Sequence, residues 1–473
     1  MRARTLASAA IVACCAAFGA ASTSAHKTTK ATTAHVSQVI WMKGYDSPGT
    51  PAKYNNVGVI KVTPATGIAK NVIVFEPGTS AAASYFVPLA QWIVQTLPGW
   101  QVWAVQRRES LLEDQSELKL AKQGKATINQ VFNYYLGFLN NKSITDHMPS
   151  SYLTLAPAYA KDWGMNVAVN DLHAVIGAAE KLGGKVVLGG HSLGGSVVTA
   201  YATWDFGGHA GADGLAGLVY DDGASGPAET AAAATAALQT LDAPTATPWL
   251  SFGGIGAPFA GIFNDTGALG VLKAPNAPSL GQTSGLLPAD IVPPVRVTNE
   301  GQYGYALNYK TSPIGLLAAQ GHIGTGISSH TIDGAHTWNG AGALTPITRF
   351  ATMFGAPEEL TAAGTEWYFP QRLTDDTAAV GNGIANPAQQ VLDVHSTMGK
   401  HLPHSLRIFA FGARLGGPLI GVAADALAKQ SGIPLSHVVK FNYQSSYSHN
   451  DPAGAYPKNA FFSNLVKFLR KLA

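Results

Sequence analysis

Cysteine is nearly absent from this chain of 473 residues. Its two cysteines, Cys14 and Cys15, are adjacent and lie in an amino-terminal segment that we expect to be removed. A mature chain would then have no cysteine, which excludes disulfide bonds, thiolate catalysis and metal sites with cysteine ligands.

Charge is also scarce, because charged residues make up only 12% of the chain and its 31 Lys and Arg nearly balance its 28 Asp and Glu. No long run of Lys or Arg forms a surface for phosphate groups, so we expect no nucleic-acid partner. Hydrophobic residues make up 46% of the chain, which is enough to bury a sizeable core.

The first 25 residues have the three parts of a secretion signal. Arg2 and Arg4 come first, an apolar run covers residues 6 to about 21, and a group of small residues ends at Ala25. We expect cleavage after Ala25, which would make the protein secreted or periplasmic.

A lipid anchor is the alternative at this end of the chain. Residues 11–14 read Ile-Val-Ala-Cys and resemble a bacterial lipoprotein box, in which Cys14 would carry the acyl chains. The apolar run is alanine-rich and shorter than the roughly 20 residues that a bilayer core requires, so we expect no stable membrane span.

Short apolar runs alternate along the chain with amphipathic stretches, which favours parallel strands joined by helices. The first two strands follow each other directly and are predicted to form an antiparallel edge or hairpin. The sequence therefore predicts an α/β fold, a mostly parallel twisted sheet with helices on both faces. The predicted strands cover about residues 36–42, 57–62, 71–75, 101–105, 185–188, 215–220, 406–411 and 438–443, and the predicted helices 83–97, 167–182, 194–204 and 460–472.

Two long segments interrupt this alternation. Residues 109–161 form an excursion with helical character around 128–139, which we expect to lie over the functional site. Residues 223–403 are rich in Ala, Gly, Pro and Thr and are predicted to be a cap or lid, inserted before the penultimate strand. The predicted core then consists of residues 26–222 and 404–473.

One motif in the core carries chemistry. With 52 glycines in the chain, a match to G-x-S-x-G is weak evidence by itself. Here the serine directly follows a predicted strand and precedes a predicted helix, which is the setting of a nucleophile elbow. We therefore predict that Ser192 is a catalytic nucleophile, in the sequence Gly190-His191-Ser192-Leu193-Gly194.

A serine hydroxyl needs a base within hydrogen-bond reach and an acid that orients the base. Of the 14 histidines, His449 follows the last predicted strand and precedes the final helix, so it is the predicted base. For the acid, the strand that ends at residue 220 is followed by Asp221 and Asp222, whereas residues 409–414 after the later strand contain no carboxylate. We favour Asp222, with Asp221 as the alternative; both could instead cap the loop into the insertion.

Acyl transfer also requires two backbone N–H donors for the developing oxyanion. The residue after the nucleophile, Leu193, is the first candidate. The turn after the first parallel strand supplies the second, for which we favour Thr79 over Gly78. A plain Pro-Gly turn would explain the same residues.

The strands, the turn at Gly78 and the serine motif together resemble the α/β-hydrolase superfamily, and residues 102–108 resemble its capped esterase and peptidase branches. The resemblance covers about residues 70–222 and 404–473 and is absent from the insertion. The chain departs from many relatives at residues 106–109, where Gln-Arg-Arg-Glu stands in place of an aspartate before arginine and glycine.

The resemblance implies a serine hydrolase that acts through an acyl-enzyme. Because an apolar, weakly charged insertion suits uncharged acyl groups, we expect it to cleave carboxylic esters of the small-molecule or lipid-like kind. Such chemistry needs no cofactor and no metal. A serine peptidase acting on short peptides is the first alternative and would use Glu358, Glu359 or Glu366 to bind a peptide terminus. A ligand-binding relative without catalysis is the second, and it would show a broken triad or elbow.

Overall fold

The computed structural model describes residues 35–145, 147, 152–357, 360 and 364–473. The expected secretion signal, the alternative lipid anchor at Cys14, and the residues Glu358 and Glu359 lie outside the described residues.

An eight-stranded sheet forms the centre of the fold, in the order β1-β2-β4-β3-β5-β6-β7-β8. β1 and β2 pair antiparallel, β2 continues antiparallel onto β4, and the strands from β4 to β8 are parallel. The predicted opening hairpin and parallel sheet are both confirmed. The strands are His35–Lys43 (β1), Asn56–Pro64 (β2), Asn71–Glu76 (β3), Trp100–Gln106 (β4), Val186–His191 (β5), Leu215–Asp221 (β6), Arg407–Gly412 (β7) and Val438–Asn442 (β8).

The central strands are buried on both faces of the sheet. In β3, Val72 and Val74 contribute to one hydrophobic core, while Ile73 and Phe75 contribute to the core on the opposite face. Successive side chains of a strand point to opposite faces, so a strand covered on both faces is a continuous apolar run rather than an alternating one. This is why the central strands were recognisable in the sequence.

Helices cover the two faces. One face carries α2, α3 and α4, and the other carries α1 and α5. The helices are Val87–Thr96 (α1), Met165–Glu180 (α2), Leu193–Ala202 (α3), Pro418–Gln430 (α4) and Ala460–Arg470 (α5). Helix α4 was not predicted, and the predicted start of α1 is a 3-10 turn, Ala83–Phe86.

The excursion packs against the insertion. Its residues Leu118, Val131 and Tyr135 share a hydrophobic cluster with Trp249 and Trp367 of the insertion. The single predicted helix around 128–139 is divided by a π-helical stretch. The elements of this region are Arg108–Leu112 (3-10), Ser116–Lys122, Ile128–Phe132, Asn133–Gly137 (π), Phe138–Asn140 and Ala158–Asp162 (3-10).

The insertion between β6 and β7 is mostly helical. From residue 35 onward the chain packs as one compact unit, in which the insertion is not set apart from the core. None of the helices in the described ranges is both long and apolar enough to cross a bilayer. The insertion contains the helices Ala231–Asp242, Ala257–Lys273, Leu280–Ser284, Ala289–Ile291 (3-10), Asn299–Leu307, Gly315–Ala318, Ile347–Gly355, Gln371–Val380 and Pro387–Leu392, and the strand pairs Ser251–Phe252 with Ile255–Gly256 and Gly326–Ile332 with Ala335–Asn339.

Candidate active site

Ser192 lies at a sharp turn between β5 and α3. Its backbone has φ 55° and ψ −126°, a conformation that a residue with a Cβ adopts only when its surroundings enforce it. The Ser192 N–H donates to the Asp221 carbonyl at 3.0 Å, and the Ser192 carbonyl accepts from Gly195 N at 2.9 Å. These bonds fix the strained turn between the ends of β5 and β6.

The two glycines of the motif are required by close backbone contacts. A Cβ on Gly190 would lie 2.2 Å from the Gly194 carbonyl oxygen, and a Cβ on Gly194 would lie 2.2 Å from the Glu76 carbonyl oxygen. No side chain fits at either position. The glycine spacing therefore follows from close packing within the turn, at Gly190, and of the turn against the end of β3, at Gly194.

His449 and Asp222 form a buried hydrogen-bonded pair. His449 Nδ1–H donates to Asp222 Oδ2 at 2.6 Å, and the two residues are 5% and 3% exposed. The bond occupies Nδ1, so Nε2 is the ring nitrogen left to exchange a proton with another group. The structure thus brings together the predicted base and the favoured acid.

Backbone N–H groups after β7 hold the Asp222 carboxylate. Oδ1 accepts from Ala413 N at 2.6 Å and Gly416 N at 2.9 Å, and Oδ2 accepts from Leu415 N at 3.1 Å. The position after β7, which lacks a carboxylate, therefore contributes donors that orient the carboxylate of the preceding strand. The sequence contained no signal for these bonds, because they come from the main chain.

Asp221, the alternative acid, does not reach His449. It is fully buried, and neither carboxyl oxygen has a hydrogen-bond partner in the described part of the chain. Burial and the nearby Asp222 raise the pKa of Asp221 well above its ordinary value. Asp221 therefore lacks the contact to His449 that an acid stabilising an imidazolium requires.

His191, next to the nucleophile, supports the base. Its Nε2–H donates to the His449 carbonyl at 3.1 Å, and its ring packs between those of Tyr85 and His449 at centroid distances of 4.6 and 4.3 Å. Burial and the neighbouring His449 lower the pKa of His191 well below its ordinary value. His191 is thus a neutral packing residue that links the serine turn to the base.

The turn after β3, residues 77–81, lies directly beside the nucleophile. We call it the β3 turn. A Cβ on Gly78 would lie 2.8 Å from Ser192 Cβ. Among the described residues, neither the Thr79 N–H nor the Leu193 N–H donates a hydrogen bond. Both predicted oxyanion donors are therefore free on elements adjoining Ser192.

The insertion holds the loop that carries the base. His449 N donates to the Ala319 carbonyl at 2.8 Å, and Asn450 N donates to the Gln320 carbonyl at 3.0 Å. Asp451 accepts from Thr345 Oγ1 at 2.7 Å. A segment predicted as a lid is thus bonded to the base loop itself.

Arg107 was not singled out by the sequence, yet it lies beside the site. Its guanidinium pairs with Glu76 and Glu366 at 2.7 Å each and donates to carbonyls of the β3 turn. Glu366, a candidate for binding peptide termini, is 1% exposed and forms an ion pair with Arg107.

Groups of three or more His, Cys, Asp or Glu side chains able to hold a metal ion do not occur in the described ranges.

No protein-family model and no curated protein matches the chain by sequence. Solved structures with a similar backbone arrangement include a putative lipase from Sulfolobus solfataricus. The two chains are 14% identical, and the match covers 93% of this chain and 95% of the lipase with a TM-score of 0.42. A bacterial heroin esterase is 11% identical over 94% and 86% of the two chains, with a TM-score of 0.36. A carboxyl esterase from Bacillus coagulans is 11% identical over 92% and 98%, with a TM-score of 0.36.

The strand order and the position of the serine turn define the fold of this chain. An antiparallel hairpin followed by six parallel strands in the order β4-β3-β5-β6-β7-β8, with a strained serine between β5 and the following helix, is the α/β-hydrolase fold.

Proposed function

We propose that this protein is a secreted serine hydrolase that cleaves carboxylic esters through an acyl-enzyme intermediate. Ser192 is the nucleophile, His449 the general base and Asp222 the acid that orients it. The observation that carries the proposal is the 2.6 Å contact between His449 Nδ1 and Asp222 Oδ2, made beside a serine in a strained strand-to-helix turn.

The reaction follows from these groups in two halves. His449 Nε2 takes the Ser192 hydroxyl proton as Oγ attacks the ester carbonyl carbon, and Asp222 stabilises the imidazolium that forms. The Thr79 and Leu193 N–H groups donate to the carbonyl oxygen as it becomes negative. The alcohol then leaves with the proton from His449. Water then attacks the acyl carbon and loses a proton to His449, which returns it to Ser192 Oγ as the bond to Oγ breaks and the acid leaves.

Esters are favoured over peptides by charge at the site. A peptidase for short peptides requires a charged group to bind a terminus, and Glu366 is unavailable because it is buried against Arg107. The insertion is poor in charge and rich in Ala, Gly and Pro, which suits uncharged acyl groups. An intact pair of Asp222 and His449 also argues against a binding protein that has lost catalysis.

Hydrolysis of p-nitrophenyl esters of increasing acyl length tests the proposal. Ser192→Ala should abolish turnover. Ser196→Ala is a matched control in the same helix, because Ser196 Oγ donates to the Ala224 carbonyl at 3.3 Å and has no other partner among the described residues, and it should retain turnover. Equal activity of Ser192→Ala and the wild type would contradict the proposal, and the preferred acyl length would define the size of the pocket.

A further inference from the structure

The β3 turn has little hydrogen bonding of its own. Within it, Ala81 N donates to the Gly78 carbonyl at 3.3 Å, and Ser80 has a positive φ of 53°. A turn with one internal bond and a strained residue does not fix the direction of the Thr79 N–H by itself. Its direction therefore depends on groups outside the turn.

Arg107, directly after β4, supplies most of those external bonds. It is 5% exposed and donates to the Gly78 carbonyl at 3.3 Å from Nη2 and 3.4 Å from Nη1, to the Ala81 carbonyl at 3.5 Å, and to the Pro77 carbonyl. One guanidinium thus bonds three carbonyls of the β3 turn.

The bond to the Gly78 carbonyl acts on the Thr79 N–H through the peptide group that they share. The peptide unit is planar and trans, so its C=O and N–H point in opposite directions. Fixing the Gly78 oxygen on Arg107 therefore fixes the opposite direction for the Thr79 N–H. A cation on the oxygen also polarises the amide, which strengthens the N–H as a donor.

The insertion anchors the same turn from a second side. Glu366 N donates to the Ser80 carbonyl at 2.9 Å, Ala82 N donates to the Gly364 carbonyl at 3.4 Å, and Ala81 forms an antiparallel bridge with Thr365. The Glu366 side chain forms an ion pair with Arg107 Nη1 at 2.7 Å. The insertion therefore contacts the β3 turn through its main chain and Arg107 through a side chain.

The charges around Arg107 keep it in place. Burial opposes ionisation of Arg107, but the carboxylates of Glu76 and Glu366 raise its pKa above the ordinary value. Burial in turn raises the pKa of Glu366 to about 7 even though Arg107 opposes that rise. Arg107 is thus a charged group held by two buried carboxyls as well as by the carbonyls of the β3 turn.

We propose that Arg107 is a positioning residue of the oxyanion hole, acting through the Gly78–Thr79 peptide, and that the insertion completes this hole through Glu366. The inference builds on the proposed ester hydrolysis. It makes the segment around residues 364–366 a structural part of the active site.

The test compares Arg107→Lys with Arg108→Lys. Arg108 is equally buried and paired, donating from Nε to Asp171 Oδ2 at 2.8 Å and from Nη1 to Asn55 Oδ1 at 2.7 Å, but it has no bond to the β3 turn. Each variant is measured for ester kcat/KM, for inhibition by an alkyl trifluoromethyl ketone, and for inhibition by the matching methyl ketone. The first ketone forms a tetrahedral oxyanion adduct with a serine, and the second mimics bound substrate.

For Arg107→Lys we expect kcat/KM and trifluoromethyl ketone affinity to fall together, by about 10- to 100-fold. KM and methyl ketone affinity should change little. Glu366→Gln keeps an oxygen acceptor for Arg107 without the charge. It should lower kcat/KM and the trifluoromethyl ketone affinity several-fold. Arg108→Lys should lower the melting temperature and leave the ratio of the two inhibition constants unchanged.

Folded Arg107→Lys with an unchanged ratio of inhibition constants would overturn the inference, as would equal losses for both ketones. If Arg107→Lys does not fold, Glu366→Gln replaces it in the test, and an unchanged ratio of the two inhibition constants in that variant would overturn the inference. A wild type that hydrolyses no ester would overturn the proposed function and this inference with it, whereas an active wild type with unaffected variants overturns the inference alone.

Discussion

His449 Nδ1 and Asp222 Oδ2 lie 2.6 Å apart, although 227 residues separate the two in the chain. The whole insertion lies between them in sequence. Their contact requires that β6 and β8 end at the same edge of the sheet, which follows from the parallel order β6-β7-β8. The sheet therefore assembles the base and acid, and the main chain after β7 locks the acid in position.

Exchange of the two adjacent aspartates to asparagine separates their roles. Asp222→Asn should lower kcat by about four orders of magnitude, because the amide no longer stabilises the imidazolium and favours the wrong tautomer of His449. Asp221→Asn should change kcat by less than about tenfold, because the Asp221 carboxyl does not contact His449 and has no hydrogen-bond partner among the described residues. Steady-state ester hydrolysis by the two variants measures these losses, and thermal melting checks that both variants are folded. The reverse order of losses would reassign the acid.

Substitutions of His449 and His191, whose rings are in contact, should differ in their effect on activity. His449→Ala should remove the base and nearly all turnover. His191→Phe keeps an aromatic ring against Tyr85 but loses the donor to the His449 carbonyl. We expect it to lower the free energy of unfolding by about 1 kcal/mol and activity by less than about tenfold. Loss of activity in His191→Phe as complete as in His449→Ala would contradict these roles.

The stability of the fold should fall as pH rises through the weakly acidic range. Burial raises the pKa of Glu366 to about 7 and that of Asp376 to about 6. A carboxyl with a higher pKa in the folded than in the unfolded chain binds a proton more tightly when folded. Its contribution to stability is therefore present below the unfolded pKa and is lost as pH rises to the folded value.

Urea unfolding between pH 4.5 and 7 measures this effect. The free energy of unfolding should decrease with pH, and Glu366→Gln should flatten the slope by at most about 1.4 kcal/mol per pH unit. Parallel curves for the wild type and this variant would show that Glu366 does not titrate in that window.

The proposed secretion of the protein gives a further prediction about its amino terminus. Cleavage after Ala25 would leave His26 as the first residue of a chain without cysteine. Intact-mass measurement of protein recovered outside the cytoplasm should match that chain. A heavier species carrying acyl groups, lost in Cys14→Ala, would establish the lipid anchor instead.

Chain order made part of this site predictable from the sequence. Short apolar runs in the sequence located the three residues. Ser192 and Asp222 directly follow the buried strands β5 and β6, and His449 follows β8, which pairs with the buried strand β7. Asp222, and not Asp221, contacts His449, and the role of Asp222 as the acid stays a prediction. The mostly parallel sheet followed from alternating strands and helices, whereas the order of its strands was not predicted.

Interactions between distant segments were not predictable. The contact of Arg107 with Glu366 spans 259 residues, and no local pattern links a residue after β4 to a point in the insertion. The excursion is similar, because its cluster with Trp249 and Trp367 forms only in the folded chain. Backbone donors such as Ala413 N have no sequence signal at all.

Covalent labelling of the serine tests the central claim most directly. The protein is treated with a fluorophosphonate, and the intact masses of the wild type and of Ser192→Ala are compared. We predict one adduct on the wild type and none on Ser192→Ala. An unlabelled wild type that is folded by circular dichroism, or a Ser192→Ala variant that still gains the adduct, would contradict Ser192 as the nucleophile.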